Sequence, residues 1–334
     1  MSQIEKAAKI IRAGGLVAFP TETVYGLGAD AGSQDACLGI FKAKGRPSHN
    51  PLIVHAASPQ QASSFAVFGA DAQKLMKIWP APLTLVLPIR EGAKLAPCVT
   101  AGLETVAVRV PSDARARSLI EASGCPIAAP SANKSGRLSS TTYEHVQKNF
   151  GDSVFIVQDD GVKSCGLEST IIDLSTDTPT ILRYGFITPE LLSEALGKEV
   201  AIASKLSKIK APGMLLKHYA PKTKIRLEAA ALNPGEVGLD FGNSCLGSGS
   251  LRNEGFRNGS MSSEGGSSDS VSSAGSLNLS PSGDLSEAAS NLFDYLHRLD
   301  EFALAHSIKT IAIAHIPNES VGLAINDRLS RAGE

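Results

Sequence analysis

A strong charge of either sign is missing from this 334-residue chain, in which 32 basic residues meet 33 acidic ones for a formal net charge of −1. That balance excludes a histone-like polycation and an acidic solvating tail. No apolar run approaches the roughly 18 residues of a membrane span. The opening MSQIEKAAKIIRAGG reads as an amphipathic helix and lacks the apolar block of a signal peptide. Cysteine is sparse: Cys37, Cys98, Cys125, Cys165 and Cys245 are scattered, odd in number and without a CxxC pair. This argues against a disulfide framework or a cysteine zinc site and for a reducing, cytoplasmic setting. The histidines show no paired ligand spacing, so no dedicated metal site is expected. GxxxxGK[ST] and GxSxG are both absent, which removes a P-loop and a nucleophile elbow. Gly26-Leu-Gly28-Ala-Asp-Ala31 imitates a dinucleotide fingerprint, but the acidic residue expected about 20 positions later is missing. Tight-turn glycines are the plainer reading there.

The apolar content is 43%, enough for a sizeable core, and the length suits about two domains. Charge is uneven: residues 1–220 carry an excess of four basic groups and residues 221–334 an excess of five acidic ones. The first part can therefore host an anionic ligand. Short β-branched strands are expected at LVAF (16–19), PLIVHA (51–56), LTLVLPI (83–89), TVAVRV (105–110), PIAA (126–129), VFIVQ (154–158), STIIDL (169–174) and TILR (180–183). Helices are expected near the N-terminus, from Ser33 to about Lys42, at 113–123 and from Pro189 to about Leu196. The pattern predicts an α/β (α+β) domain over 1–200, with one twisted sheet flanked by helices. Residues 201–221 read as a linker. Residues 222–334 read as a smaller Rossmann-like α/β domain, with strands KIRLE and EVGLDF, a helix at 284–305, strand KTIAIAHI (309–316) and a closing helix. Between 243 and 283, 22 of 41 residues are Gly or Ser. Such a composition buries too little apolar surface to offset its ordering entropy, so a disordered insertion is expected.

Polar groups cluster beside strand ends in PTETVYGL (20–27), in Lys44-Gly-Arg46-Pro47 with Asn50 and His55, in Ala129-Pro130-Ser131-Ala132-Asn133, and in Gly166-Leu-Glu168-Ser169-Thr170 followed by Arg183. Together they offer Lys, Arg and several hydroxyl and amide donors without an obvious nucleophile. That set suits polyphosphate binding without covalent catalysis, since Arg grips phosphate with two parallel bonds and Lys adds a point charge.

At these residues the chain resembles the threonylcarbamoyl-AMP synthases in their long form, with an N-terminal YrdC-like domain. The motifs, in order over about 1–221, are PTETVYGLGA, KxRP with PL downstream, TVAVRVP, APSAN-x-SG, GxESTI, ILR and PGM…HYAP. SNLFDYLHRLD and VGLAINDR continue the likeness more faintly. The resemblance implies a nucleotidyltransferase that makes threonylcarbamoyl-AMP and pyrophosphate from L-threonine, bicarbonate and ATP. The product would feed threonylcarbamoyladenosine synthesis in tRNA through a separate transferase. By position the likeness assigns threonine to Thr23, His55, Arg109, Ala129 and Ser169. It assigns ATP to Arg46, Asn50, Thr105, Ser131, Ser139, Arg183 and Tyr219. Lys44 and Asn133 would join Arg46 and Ser131 as catalytic groups facing the phosphates, and Mg²⁺ would travel with ATP. Where family members often carry Pro-Ser-Pro-Thr, this chain has Leu138-Ser139-Ser140-Thr141. The linker, from Pro212-Gly213-Met214 to Tyr219, is expected to lie over the pocket as a lid. The rival readings are an RNA-binding module without synthase activity, for which weak RNA binding would suffice, and a YrdC-like carbamoyl-transfer maturation factor.

Overall fold

The computed structural model describes residues 1–47, 49–159, 161, 163–204, 219–244, 246 and 275–333. Most of the expected lid (205–218) and most of the expected insertion (247–274) lie outside these residues.

Ser2 starts the first helix with a reciprocal cap, its Oγ accepting from the Glu5 N–H while the Glu5 carboxylate accepts from its own N–H. In chain order the first domain holds α1 (Gln3–Arg12), β1 (Val17–Phe19), β2 (Gly26–Asp30), α2 (Gln34–Lys44), β3 (Ile53–His55), α3 (Pro59–Ala62), α4 (Ala70–Leu75), β4 (Leu83–Pro88), α5 (Pro97–Thr100), β5 (Thr105–Arg109), α6 (Ala114–Ser123), β6 (Ile127–Ala128), α7 (Tyr143–Phe150), β7 (Phe155–Ile156), β8 (Thr170–Asp173), β9 (Thr180–Arg183), α8 (Pro189–Leu196) and β10 (Ala201–Ile202). The second holds β11 (Lys224–Arg226), β12 (Glu236–Asp240), β13 (Ser276–Asn278), α9 (Leu285–Ala305), β14 (Thr310–Ile313) and α10 (Gly322–Gly333).

The described strands of the first domain form one mixed sheet in the order β10-β9-β8-β4-β5-β3-β6-β2-β1-β7. Side chains alternate across it. Val54, Leu85, Val108 and Ile172 join the large core cluster on one face. Ile53, Val86, Ala107 and Ile171 make a smaller apolar patch on the other. His55 and Arg109 are register partners on parallel β3 and β5, so both stand on this second face, at the rim of the patch.

The second domain is a parallel sheet in the order β11-β14-β12-β13, against which α9 and α10 pack. It closes over the second face of the first sheet. Val24, Leu138, Leu167 and Tyr219 share one buried cluster with Leu292, Phe293 and Leu296 of α9. The contact is close enough that a Cβ on Gly166 would lie 2.5 Å from backbone atoms of Ala289 and Ser290.

Three expectations are corrected here. GLGAD is a strand, β2, rather than a glycine turn, and it pairs antiparallel with β1 and β6. Glycine serves close approach: a Cβ on Gly28 would meet Phe19 at 2.6 Å and Ile127 at 2.7 Å. Ala201–Ile202, expected in the linker, add β10 to the first sheet beside β9. Ser276–Asn278, expected in the disordered insertion, form β13, because Leu277 is fully buried and pairs with Leu239 of β12.

Candidate active site

A pocket opens on the second face of the sheet, where the loops after β1 and β6 meet the ends of β3, β5 and β9. Thr21, Thr23, Tyr25, Arg46, Ile53, His55, Arg109, Ala129, Pro130, Ser131, Glu168, Arg183 and Tyr219 are among its lining residues.

One side is built around Arg109. Its Nη2 donates to Glu22 Oε1 at 2.6 Å and to Thr23 Oγ1 at 3.0 Å. Burial works to raise the Glu22 carboxyl, but the charge and hydrogen bond of Arg109 outweigh it and hold the group below its ordinary value. The Nε of Arg109 is buried without a partner, as is Nδ1 of His55 beside it. Burial, reinforced by the Arg109 cation, pushes His55 down to about 3, so the ring is neutral. Orphaned buried polar atoms are costly and uncommon, and two on one wall mark a place prepared for a polar ligand.

The other side carries Arg46 and Arg183. Arg46 follows α2, and its Nη2 donates to the Pro51 carbonyl at 3.0 Å. Burial lowers it to about 10, which leaves it charged at neutral pH. The neighbouring Asn50 amide is buried with neither side-chain atom partnered. Arg183 closes β9, with Nε on the Ser169 carbonyl at 3.0 Å and Nη2 on Ser169 Oγ at 3.1 Å. Ser169 Oγ also meets Thr84 Oγ1 at 2.7 Å. Glu168 accepts from Ser139 Oγ on one oxygen and from Arg328 Nε at 2.9 Å on the other. Tyr219 sits with φ of 64°, an uncommon conformation for a residue other than glycine, and its ring lies 5.2 Å from the Arg328 guanidinium.

The structure therefore brings together Thr23, His55, Arg109 and Ala129 of the expected threonine set, and Arg46, Ser131, Arg183 and Tyr219 of the expected nucleotide set. Lys44, Asn50, Thr105, Asn133, Ser139 and Ser169 do not line the pocket. Lys44 and Asn133, expected to face the phosphates, are engaged with the backbone of the Ser131 loop. The Lys44 ammonium donates to the carbonyls of Ser131 and Asn133. The Asn133 amide donates to the Lys134 and Arg137 carbonyls at 2.9 and 2.8 Å, and its oxygen accepts from Ser131 Oγ at 2.5 Å. These bonds fix the loop that carries Ser131. Thr105 opens β5, four residues or about 13 Å along the strand from Arg109. Ser139 and Ser169 stand behind the wall, orienting Glu168 and Arg183. Sequence reasoning did not assign Glu22, Tyr25, Glu168 or Arg328. The first three lie inside the quoted motifs, and Arg328 ends VGLAINDR.

A cation-rich pocket on the second face of a mixed sheet, roofed by a small parallel α/β domain, defines a two-domain YrdC-like protein. The family model described as "Telomere recombination" matches residues 9–185. The one described as "Threonylcarbamoyl-AMP synthase, C-terminal domain" matches residues 187–333. The threonylcarbamoyl-AMP synthase of Bacillus subtilis is 38% identical over 99% of this chain and 92% of its own length. That of Pyrococcus abyssi is 37% identical over 99% and 94%. The crystal structure of P. abyssi Sua5 complexed with L-threonine superposes with a TM-score of 0.82 at 35% identity, covering 100% of this chain and 95% of that one. The chain belongs to the threonylcarbamoyl-AMP synthase family, whose members are enzymes. The family resemblance carried by the motifs is thus borne out.

Proposed function

We propose that the protein condenses L-threonine, bicarbonate and ATP to threonylcarbamoyl-AMP and pyrophosphate, for threonylcarbamoyladenosine formation in tRNA by a separate transferase. The observation that carries this reading is the pocket wall, on which Arg46, Arg109 and Arg183 converge with a neutral His55. The L-threonine complex of P. abyssi Sua5 supports the amino-acid half.

In this reading the threonine carboxylate faces Arg109, whose Nε is otherwise unpartnered. Its side chain lies toward His55, Thr23 and Ala129. The amine combines with bicarbonate, losing water, to give a carbamate. A carbamate oxygen then attacks the α-phosphorus as the bond to pyrophosphate breaks. Two anions must meet, so fixed positive charge and proximity supply most of the acceleration. Arg46 and Arg183 face the phosphates, and Ser131 and Tyr219 border the nucleotide. Mg²⁺ would enter with ATP. The carboxylates of Glu22 and Glu168 are engaged by Arg109 and Arg328, so phosphate oxygens and water would hold the ion. A covered pocket also shields the carbamate from water.

The test is mass detection of threonylcarbamoyl-AMP from purified protein, with pyrophosphate release measured as each substrate is omitted. Turnover of ATP that ignores threonine or bicarbonate would overturn the reading. Binding to tRNA with no such turnover would favour an RNA-binding module.

A further inference from the structure

Arg328 is the largest of the fully buried side chains among the described residues, and it comes from α10 of the second domain. Its Nε donates to Glu168 at 2.9 Å, Nη2 to the Tyr184 carbonyl at 2.8 Å and Nη1 to its neighbour Asp327 at 2.7 Å. The guanidinium also lies over the ring of Tyr219. Glu168 is the acidic residue on the pocket wall, which Arg46 and Arg183 also line. An anion there opposes any polyphosphate. Left alone, it would also cancel the field of Arg183, the other cation it feels strongly. Burial works to raise its carboxyl, but Arg328 first, then Arg183, keep it ionised.

We propose that Arg328 is a positioning residue that neutralises Glu168 from the second domain, so that the charge of Arg46 and Arg183 is directed at the nucleotide. This rests on the nucleotide reading above. Arg328 touches no substrate: it acts through Glu168 and by holding Tyr219 at the rim. The second domain thereby supplies the counter-charge on which ATP affinity depends, while the threonine side, balanced internally by Glu22 and Arg109, does not need it.

The proposal is tested on the full chain by titrating a nonhydrolysable ATP analogue, α,β-methylene-ATP, calorimetrically and by measuring KM for ATP and threonine separately. Arg328→Met should weaken the analogue by about tenfold or more, the scale of losing one charge-assisted contact, with KM for threonine changed less than twofold. Adding Glu168→Gln to Arg328→Met removes the orphaned anion and should return analogue affinity to within about threefold of wild type. Arg328→Lys should fall between the wild type and Arg328→Met. Unchanged analogue affinity in Arg328→Met, equal losses for ATP and threonine, or no recovery in the double variant would each overturn the proposal. If Arg328→Met does not fold by circular dichroism, the charge-balanced double variant decides by the same threefold criterion, and a tenfold loss there overturns it. A wild type that binds no nucleotide also overturns it. A wild type that binds the analogue but releases no threonine-dependent pyrophosphate defeats the synthase reading instead.

Discussion

The Arg46 guanidinium is already oriented by the Asn50 and Pro51 carbonyls, so in the proposed reading little reorganisation would be needed when phosphate charge arrives. Arg46→Ala should keep the fold and lose about 2.7–4 kcal/mol of transition-state stabilisation, roughly 10²–10³ in rate. Initial-rate assays beside a thermal melt check this, and near-normal turnover in the folded variant would take Arg46 out of the site. His55, held neutral down to about 3, should contribute no ionisation to the kinetics between about pH 5 and 8. An acid limb near 6.5 that vanishes in His55→Gln would contradict its burial. Serine should be a poor substrate rather than an inert one, because one methyl in a pocket discriminates by about 1–3 kcal/mol. Competing the two amino acids at equal concentration reads this ratio directly. The strand-end clusters alone offer only hydroxyls and cations suited to polyphosphate; it is the family resemblance that assigns Thr23, Arg46, His55, Arg109, Ala129, Ser131, Arg183 and Tyr219, all of which line the pocket. The family's Lys-x-Arg pattern puts Lys44 at the phosphates, whereas the backbone carbonyls that its ammonium engages are set by the fold and leave no mark in the local sequence. Arg328 was invisible because a charged residue on a helix is by default solvated, and nothing local in VGLAINDR reveals a partner 160 positions away.

Among the elements, strands with β-branched runs stand nearly where their pattern puts them: TILR is β9 without change, and TVAVRV gives β5 over Thr105–Arg109. Most of what was missed lies where side-chain pattern is thin, although α7, capped by Thr142 and burying Val146 and Phe150, was not expected either. β2 has glycines at the positions facing Phe19, so the alternation that marks a half-buried strand is erased. β13 is three residues inside Gly/Ser-rich sequence, and α3 and α5 are single turns too short for periodicity. The same glycines make a sharp test. Gly28→Ala places a methyl within contact-breaking distance of Phe19 and Ile127, and overpacking of this kind costs about 1–3 kcal/mol. Urea unfolding should show the midpoint lowered with an unchanged slope. A variant as stable as the wild type would mean that Phe19 can move aside freely.

For the molecule as a whole, the boundary between the domains is weighted with histidines that stay neutral. His145 of the first domain stacks on His297 of the second, ring centroids 3.8 Å apart, with Asp294 3.7 Å from His145. Burial, followed by the neighbouring His297, pushes His145 down to about 2, and burial lowers His297. Unfolded histidines titrate near 6.5. Below that pH the unfolded chain takes up protons that the folded chain refuses, so stability is full above about 6.5 and is lost as pH falls. Each such group can contribute up to about 1.4 kcal/mol per pH unit. Tm should therefore fall between pH 7.5 and 5, and less steeply in His145→Gln. A wild-type Tm flat over that range would show that these rings protonate without cost. The pairing of Glu168 with Arg328 has a further consequence in time. Synthesis runs from the N-terminus at about 5–20 residues per second. The first sheet is fully translated once Ile202 has been added, but its Glu168 waits roughly 125 residues more, or about 6–25 seconds, for its partner. Until then a nascent first domain holds Glu168 with Arg183 as its nearest counter-charge, without Arg328, and nothing from the second domain is packed over that face. A ribosome that stalls in the second domain should leave a folded sheet that cannot yet take nucleotide out of the cell's pool.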